Sequence, residues 1–157
     1  MNGIIQTLLL SAMPISELRG AIPVAIGIYN MPWWQAFVIA VVGNMIPVFF
    51  ILWFLDPVSK WLMKNFKFFN KFFTWLFDYN RKRHAKKMEI YRELALVILV
   101  AIPLPLTGAW TGSLAAFLFG IPYKKALPLI FLGVLIAGAV VTLVSVGVLN
   151  VSIFIKH

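Results

Sequence analysis

An acid and a base two residues apart, Glu17 and Arg19, stand between Pro14 and Pro23 in the segment PISELRGAIP, inside a stretch that is otherwise apolar. A charge at membrane depth costs about 2.5–3.5 kcal/mol on insertion scales, so such side chains turn toward a cavity or a partner and mark functional sites. The apolar arms on either side, 4–13 and 24–29, are short. Neither can cross a hydrocarbon core, which needs about 20 helical residues. Each proline removes an N–H and opposes helix between the two. Two short arms around a broken polar tip predict a re-entrant hairpin, whose irregular backbone is sheltered by protein or reached by water. The alternative is one kinked spanning helix over 4–29.

The rest of the chain supplies the setting. Of its 157 residues 62% are hydrophobic, with 14 Phe and 6 Trp, and mean hydropathy is +0.93. Soluble domains are only about half apolar. The chain therefore reads as an all-α integral membrane protein, one membrane domain over 1–157. Residues 33–55 make a full apolar span, opened by Pro32 at the first helical position and by the interfacial pair Trp33 and Trp34, and stopped by Asp56-Pro57. Gly43, Asn44 and Pro47 interrupt its middle, which predicts a kink with Asn44 turned toward protein. Over 58–77 the pattern changes: Lys60, Lys64, Lys67 and Lys71 line one side, and Trp61, Leu62, Phe66, Phe69, Phe72, Phe73 and Leu76 the other. That is an amphipathic helix lying in the interface. A solvated basic stretch follows, 81–87, with His84 part of its exposed face.

The chain then repeats itself. Residues 94–102 form another short arm, PLPLTGAWTG from Pro103 to Gly112 another broken tip, 113–119 a return arm, and 126–155 another span. Tyr29-Asn-Met-Pro-Trp33 and Phe119-Gly-Ile-Pro-Tyr123 close the two hairpins, and Gly43 and Gly133 sit at equal depth in the two spans. The organisation predicted is a first repeat over 1–56, a basic linker over 57–92 and a second repeat over 93–157. A hairpin returns to its starting side and a span crosses. The linker and the pair Lys124-Lys125 then share one side, which gathers all of the 14 basic residues except Arg19 and Lys156. By the positive-inside rule that side is cytoplasmic and both termini lie outside a multi-pass plasma-membrane protein. The two repeats are then inverted, the plan of many secondary transporters.

Glu17-Leu-Arg-Gly-Ala-Ile-Pro23 and Pro103-Leu-Pro-Leu-Thr-Gly-Ala-Trp-Thr-Gly112 resemble the two signature segments of the small multidrug export protein family. That family is similar to the broader DedA superfamily, membrane proteins with two facing re-entrant hairpins. The resemblance covers nearly the whole chain. It implies export, and, through the DedA group, movement of phosphorylated lipid carriers such as undecaprenyl phosphate. The DedA pattern places arginines in the second hairpin, whereas this chain has Thr107, Trp110, Thr111 and Ser113 there.

Inverted hairpins bring their tips together near the midplane, where helix N-termini offer free N–H groups and partial positive charge to an anion. Arg19 adds a guanidinium fork suited to phosphate or carboxylate. Glu17 is a candidate carrier of a coupling proton. The hydroxyls of Thr107, Thr111 and Ser113 and the ring of Trp110 are candidate head-group or ion contacts, with Asn44 a secondary one. Pro14, Pro23, Pro103, Pro105, Gly108 and Gly112 are expected to hold the tip backbone open. The alternative for Glu17 and Arg19 is a structural ion pair.

The expected function is a secondary transporter or lipid-carrier flippase, ion- or proton-coupled. The competing readings are a membrane assembly or lipid-binding protein that uses the lysine-striped helix, and a lipid-processing enzyme. Enzymatic chemistry is disfavoured: no Ser/His/Asp set or metal-ligand cluster is visible, the only histidines are His84 and His157, and the chain has no cysteine. No cofactor or metal is expected. The partners expected are membrane lipids, a phosphorylated lipid carrier or amphipathic small molecule, and a second copy in a homodimer. The net charge of +9 does not indicate nucleic acid, because the basic residues flank apolar segments rather than a soluble surface.

Overall fold

The computed structural model describes residues 3–82, 86–103 and 107–155, and the described residues form seven helices without a strand. They are α1 (Gly3–Ala12), α2 (Glu17–Gly27), α3 (Trp33–Asn65), α4 (Lys67–Lys82), α5 (Lys86–Ala101), α6 (Ala109–Leu118) and α7 (Tyr123–Ile155).

The first arm ends where the sequence requires it to. Pro14 disfavours helical backbone at Met13, and the carbonyls left over at the end of α1 find other donors. Leu10 O accepts from the Ser16 hydroxyl at 2.5 Å, and Met13 O from the Glu17 N–H at 3.1 Å. The tip is tighter than the two-proline bracket predicted. Helix resumes at Glu17, and Pro23 lies inside α2 rather than holding the tip open. The missing N–H at Pro23 withdraws a bond from the Arg19 carbonyl. Burial of its neighbours Ala21, Ile22 and Ala25, all fully covered, keeps the helix running through it.

Both return arms stop in the same way. Asn30 (φ 52°) and Gly120 (φ 69°) take the left-handed conformation that follows a helix end, and Met31 N–H and Ile121 N–H bond back to Ala25 O and Ala116 O. Pro32 and Pro122 then start the long helices, their carbonyls accepting from Ala36 and Ala126. Pro32 is the N-cap of α3, one position before the place the sequence suggested.

The long helices, 33 residues each, run to about 50 Å at 1.5 Å per residue, more than a hydrocarbon core of about 30 Å requires. Both contain windows long and apolar enough to cross a membrane. Asp56-Pro57 does not stop α3, contrary to expectation. The Ser59 hydroxyl takes up Asp56 O at 2.9 Å, and the helix continues to Asn65. The break comes at Phe66, whose backbone is extended (φ −130°, ψ 117°). The lysine stripe is thereby divided, Lys60 and Lys64 on α3, Lys67 and Lys71 on α4. On α4, Phe73 is buried and stacks edge-on to Phe117 of α6 at 5.8 Å, so this helix docks on the protein as well as carrying exposed Phe68 and Trp75. His84 lies outside the described residues.

The halves pack in matching pairs. α1 lies on α3 and α5 on α7; α2 packs against α3 and α7, and α6 against α7 and α3. The equivalence extends to single residues. A Cβ on Gly43 would meet Leu8 O and the Ser11 side chain, and one on Gly133 would meet Val97 O and the Val100 side chain. In each half the same small residue lets the arm approach the long helix at van der Waals distance. α3 and α7 cross in opposite directions: Phe49 stacks on Tyr123 at 6.0 Å, while Phe37 and Val41 lie against Gly138 further along.

Large apolar side chains cover the outside, among them Trp33, Phe50, Trp53, Leu143 and Val148, whereas Thr7, Ser11, Glu17, Asn44, Ser113, Thr142 and Ser145 are buried. Most of the buried hydroxyls bond to a carbonyl one turn back in their own helix, as Ser113 does to Ala109 O and Thr142 to Gly138 O, both at 2.7 Å. A surface this apolar around a partly polar interior suits a lipid solvent.

Candidate functional site

The two tips meet, and the contact is made by Glu17. Its position is strained: φ of 44° is left-handed for a residue with a side chain, a conformation that costs about 1–3 kcal/mol and persists only where the surroundings impose it. The surroundings are the start of α6. Glu17 is 4% exposed, and its carboxylate lies against Gly108 and faces the backbone N–H of Trp110, in the first turn of that helix. It also accepts from Arg19 Nη2 at 3.1 Å. The carboxylate of one hairpin thus caps the helix of the other, where α6 offers free N–H groups and the positive end of its dipole.

Gly108 makes the approach possible. It is the N-cap of α6 with φ of 141°, a conformation that favours glycine, and a Cβ there would collide with both carboxylate oxygens of Glu17. Arg19 reaches across too, its Nη2 donating to Thr107 O. A third bond runs the other way: Trp110 Nε1 donates to Ala12 O at 3.2 Å, satisfying a carbonyl left open at the end of α1. Each tip therefore supplies what the other lacks, acceptors at an arm's C-terminal end and donors at a return helix's N-terminal end.

Glu17, Arg19, Thr107, Gly108, Trp110 and Asn44 are thus gathered in one place. Asn44, in the first half of α3, is 1% exposed and lines a small cavity with Glu17, Arg19, Gly108 and Val134. Other predicted residues have different surroundings. Thr107 contributes its carbonyl, while its hydroxyl is spent on Ile102 O at 2.8 Å. Ser113 is buried and bonded within α6, and Thr111 is on the exposed side of that helix. Gly112 lies within α6 against Val100, where it permits close packing with α5 rather than shaping the tip. Pro14 is in the first turn and Pro103 directly after α5; Pro105 lies outside the described residues. The sequence reading missed Ala12 O as an acceptor and Ser16 as the group that closes the turn. A serine two residues after Pro14 was the available signal for the latter.

A second charged group ties the far end of the second half together. Lys125 Nζ bridges Glu89 and Glu93 at 2.5 and 3.2 Å, and Arg92 donates to Phe119 O at 3.3 Å. Glu89 and Lys125 are at least half exposed, where such pairs contribute little to stability. This cluster puts the end of the basic linker beside the Lys124-Lys125 pair.

Compared with known families, residues 17–140 match the model described as "Putative small multi-drug export protein", a range that begins at Glu17, contains all of α2, α3 and α6 and ends within α7. No curated protein and no solved structure matches the chain. The family's export role and the two apolar helices of spanning length agree with a membrane location. With most of its length covered by that match, this chain belongs to the small multi-drug export protein family.

Proposed function

We propose that the chain is a secondary transporter whose cargo, an amphipathic molecule with an anionic head group such as a phosphorylated lipid carrier, is handled between the two hairpin tips. The observation that carries this reading is the seat of Glu17. A carboxylate held by a guanidinium and by the N-terminus of a helix occupies an anion site, and the protein supplies the occupant from within. An external phosphate or carboxylate would use the same donors.

The transport mode is read from the architecture. α1 and α2, ten and eleven residues, extend about 15 Å each, half the hydrocarbon thickness, which supports hairpins that enter and leave on one side. Antiparallel α3 and α7, and arms that pack on them in matching pairs, support two inverted halves. Such halves exchange access by rocking about a central site. The Glu89–Lys125 contact supports placing the linker and the second basic cluster on one side, which the positive-inside rule makes cytoplasmic, with both termini outside. Each chain holds both tips, so one copy contains a complete site.

The test is export or flipping in proteoliposomes with Arg19→Ala and Glu17→Gln. Loss of activity in Arg19→Ala with the fold retained supports the reading, and full activity in both variants contradicts it. A second reading, a lipid-binding assembly protein, is favoured by one observation: α4 sets Lys67 and Lys71 beside exposed Phe68 and Trp75. It requires that neutralising those lysines abolish function in cells while the tip variants do not.

A further inference from the structure

The Glu17–Arg19 pair leaves Asn44 unexplained. Its amide oxygen is the one buried side-chain N or O atom without a hydrogen-bond partner among the described residues. An unpaired buried acceptor costs about 1–3 kcal/mol, so a donor belongs in the space it faces. The cavity it lines measures about 10 Å³, space for one water-sized group.

The walls limit what the donor can be. α5 and its end contribute Val100, Ile102 and Pro103, α7 contributes Val134 and Ala137, and α6 contributes Ala109 after Gly108. None of these side chains donates. Arg19 lines the cavity but is drawn to Glu17 and to Thr107 O. α1 carries no titratable side chain, and Arg19 is the only charged group facing Glu17 from α2 or, among the described residues, from any helix packed on it. Glu17 is the wall group that can change character. Ionised, it only accepts; protonated, it carries one O–H.

We propose that Glu17 and Asn44 form a proton site: the Glu17 carboxylate takes a proton from water and holds it as an O–H donated into the cavity to Asn44 Oδ1, which releases Arg19 and the N-terminus of α6 to bind an anion. The step is a simple protonation, carboxylate plus proton giving carboxylic acid, and it reverses when the proton leaves. In the ionised state Glu17 is the anion on the site and excludes any other. In the protonated state the guanidinium, which keeps Thr107 O, and the helix N-terminus lose their anionic partner, and an anionic head group replaces it. One proton and one negative charge then bind together, and the pair is neutral for its passage through lipid. The anion half rests on the transporter reading above; the Glu17–Asn44 bond does not.

The experiment uses the full chain in lipid nanodiscs. Infrared difference spectra on stepping from mildly alkaline to mildly acidic buffer detect a protonated carboxyl, and inorganic sulfate, whose own charge is constant over that range, serves as the anion probe. The expected carboxyl C=O band is absent in Glu17→Gln and moves to higher frequency in Asn44→Leu, which removes the acceptor. Sulfate affinity in the wild type rises by up to about tenfold per pH unit on acidification toward the transition, the slope for one linked proton, and levels off below it. Glu17→Gln, permanently neutral, binds sulfate with little dependence on pH, and this arm decides the coupling even where Asn44→Leu folds poorly. A band unmoved by Asn44→Leu overturns Asn44 as the acceptor. Wild-type sulfate affinity that is flat, or that rises with pH, overturns the coupling. A band that depends on Asn44 with no sulfate binding at any pH supports the proton site and contradicts the anion half, and with it the proposed cargo.

Discussion

Glu17 and Gly108, 91 positions apart in the chain, are in contact: the carboxylate of the first hairpin rests where a side chain on the second would have been. Neither residue makes sense within its own hairpin. Glu17 has a left-handed backbone that a glycine would adopt more readily, and Gly108 starts α6 without a side chain to cap it. Together they form a helix cap shared between two halves of the molecule.

Gly108→Ala tests that contact. The added Cβ collides with the carboxylate and is disfavoured by a φ of 141°, so the expected loss is about 1–3 kcal/mol of stability, with transport abolished. Thermal unfolding in lipid nanodiscs measures the first and proteoliposome export the second. Unchanged activity in a stable Gly108→Ala protein contradicts the shared cap.

Removing one member of the buried pair should be worse than removing both. Arg19→Ala leaves the Glu17 carboxylate, 4% exposed, without its cation, a change that costs about 3–5 kcal/mol at buried pairs. The double variant Glu17→Gln with Arg19→Ala removes the stranded charge and should recover a good part of that loss. A double-mutant cycle on unfolding midpoints reads the coupling.

Trp110→Phe keeps the ring's bulk and deletes its N–H, leaving Ala12 O without that donor. The expected cost is about 1 kcal/mol, with faster hydrogen exchange at the end of α1 than elsewhere in the first hairpin.

Gly43→Val and Gly133→Val should behave as equivalents. Each drives a side chain into the arm packed on its helix, against Ser11 and Leu8 in one half and Val100 and Val97 in the other. Overpacking of this kind costs about 1–3 kcal/mol. Equal losses in the two variants support the repeat, whereas loss in one alone contradicts it.

Much of this was legible in the sequence because local rules governed it. The short first arm, the first turn at Pro14, the start of a long helix near Pro32 and the buried Asn44 appear where composition and spacing put them. The second arm, read as 94–102, is instead the end of a longer α5 that begins at Lys86, and the second long helix starts at Tyr123 rather than at 126. Prolines misled where packing outweighed a lost hydrogen bond. Pro23 and Pro57 both lie within helices, one among fully buried neighbours and the other followed by Ser59, which bonds to the preceding carbonyl. The split of the lysine stripe at Phe66 was hidden, since a single extended residue leaves the spacing of the lysines unchanged. The cross-hairpin partners could not be read at all. Gly108, the Ala12 carbonyl and the Trp110 indole acquire their roles only when distant segments meet.

The meeting of the tips can be tested directly, because the chain has no cysteine of its own. Glu17→Cys with Gly108→Cys puts a thiol on each tip where the Glu17 carboxylate now contacts Gly108. Removal of that longer side chain leaves the two segments room to close to the Cβ separation of a disulfide, about 3.5–4.5 Å. Mild oxidation in native membranes should produce an intramolecular disulfide in most of the protein, visible as a shift on a non-reducing gel and reversed by reductant. If no disulfide forms, and impermeant thiol reagents instead label positions 17 and 108 from opposite sides of the membrane, the two hairpins do not meet and the account fails.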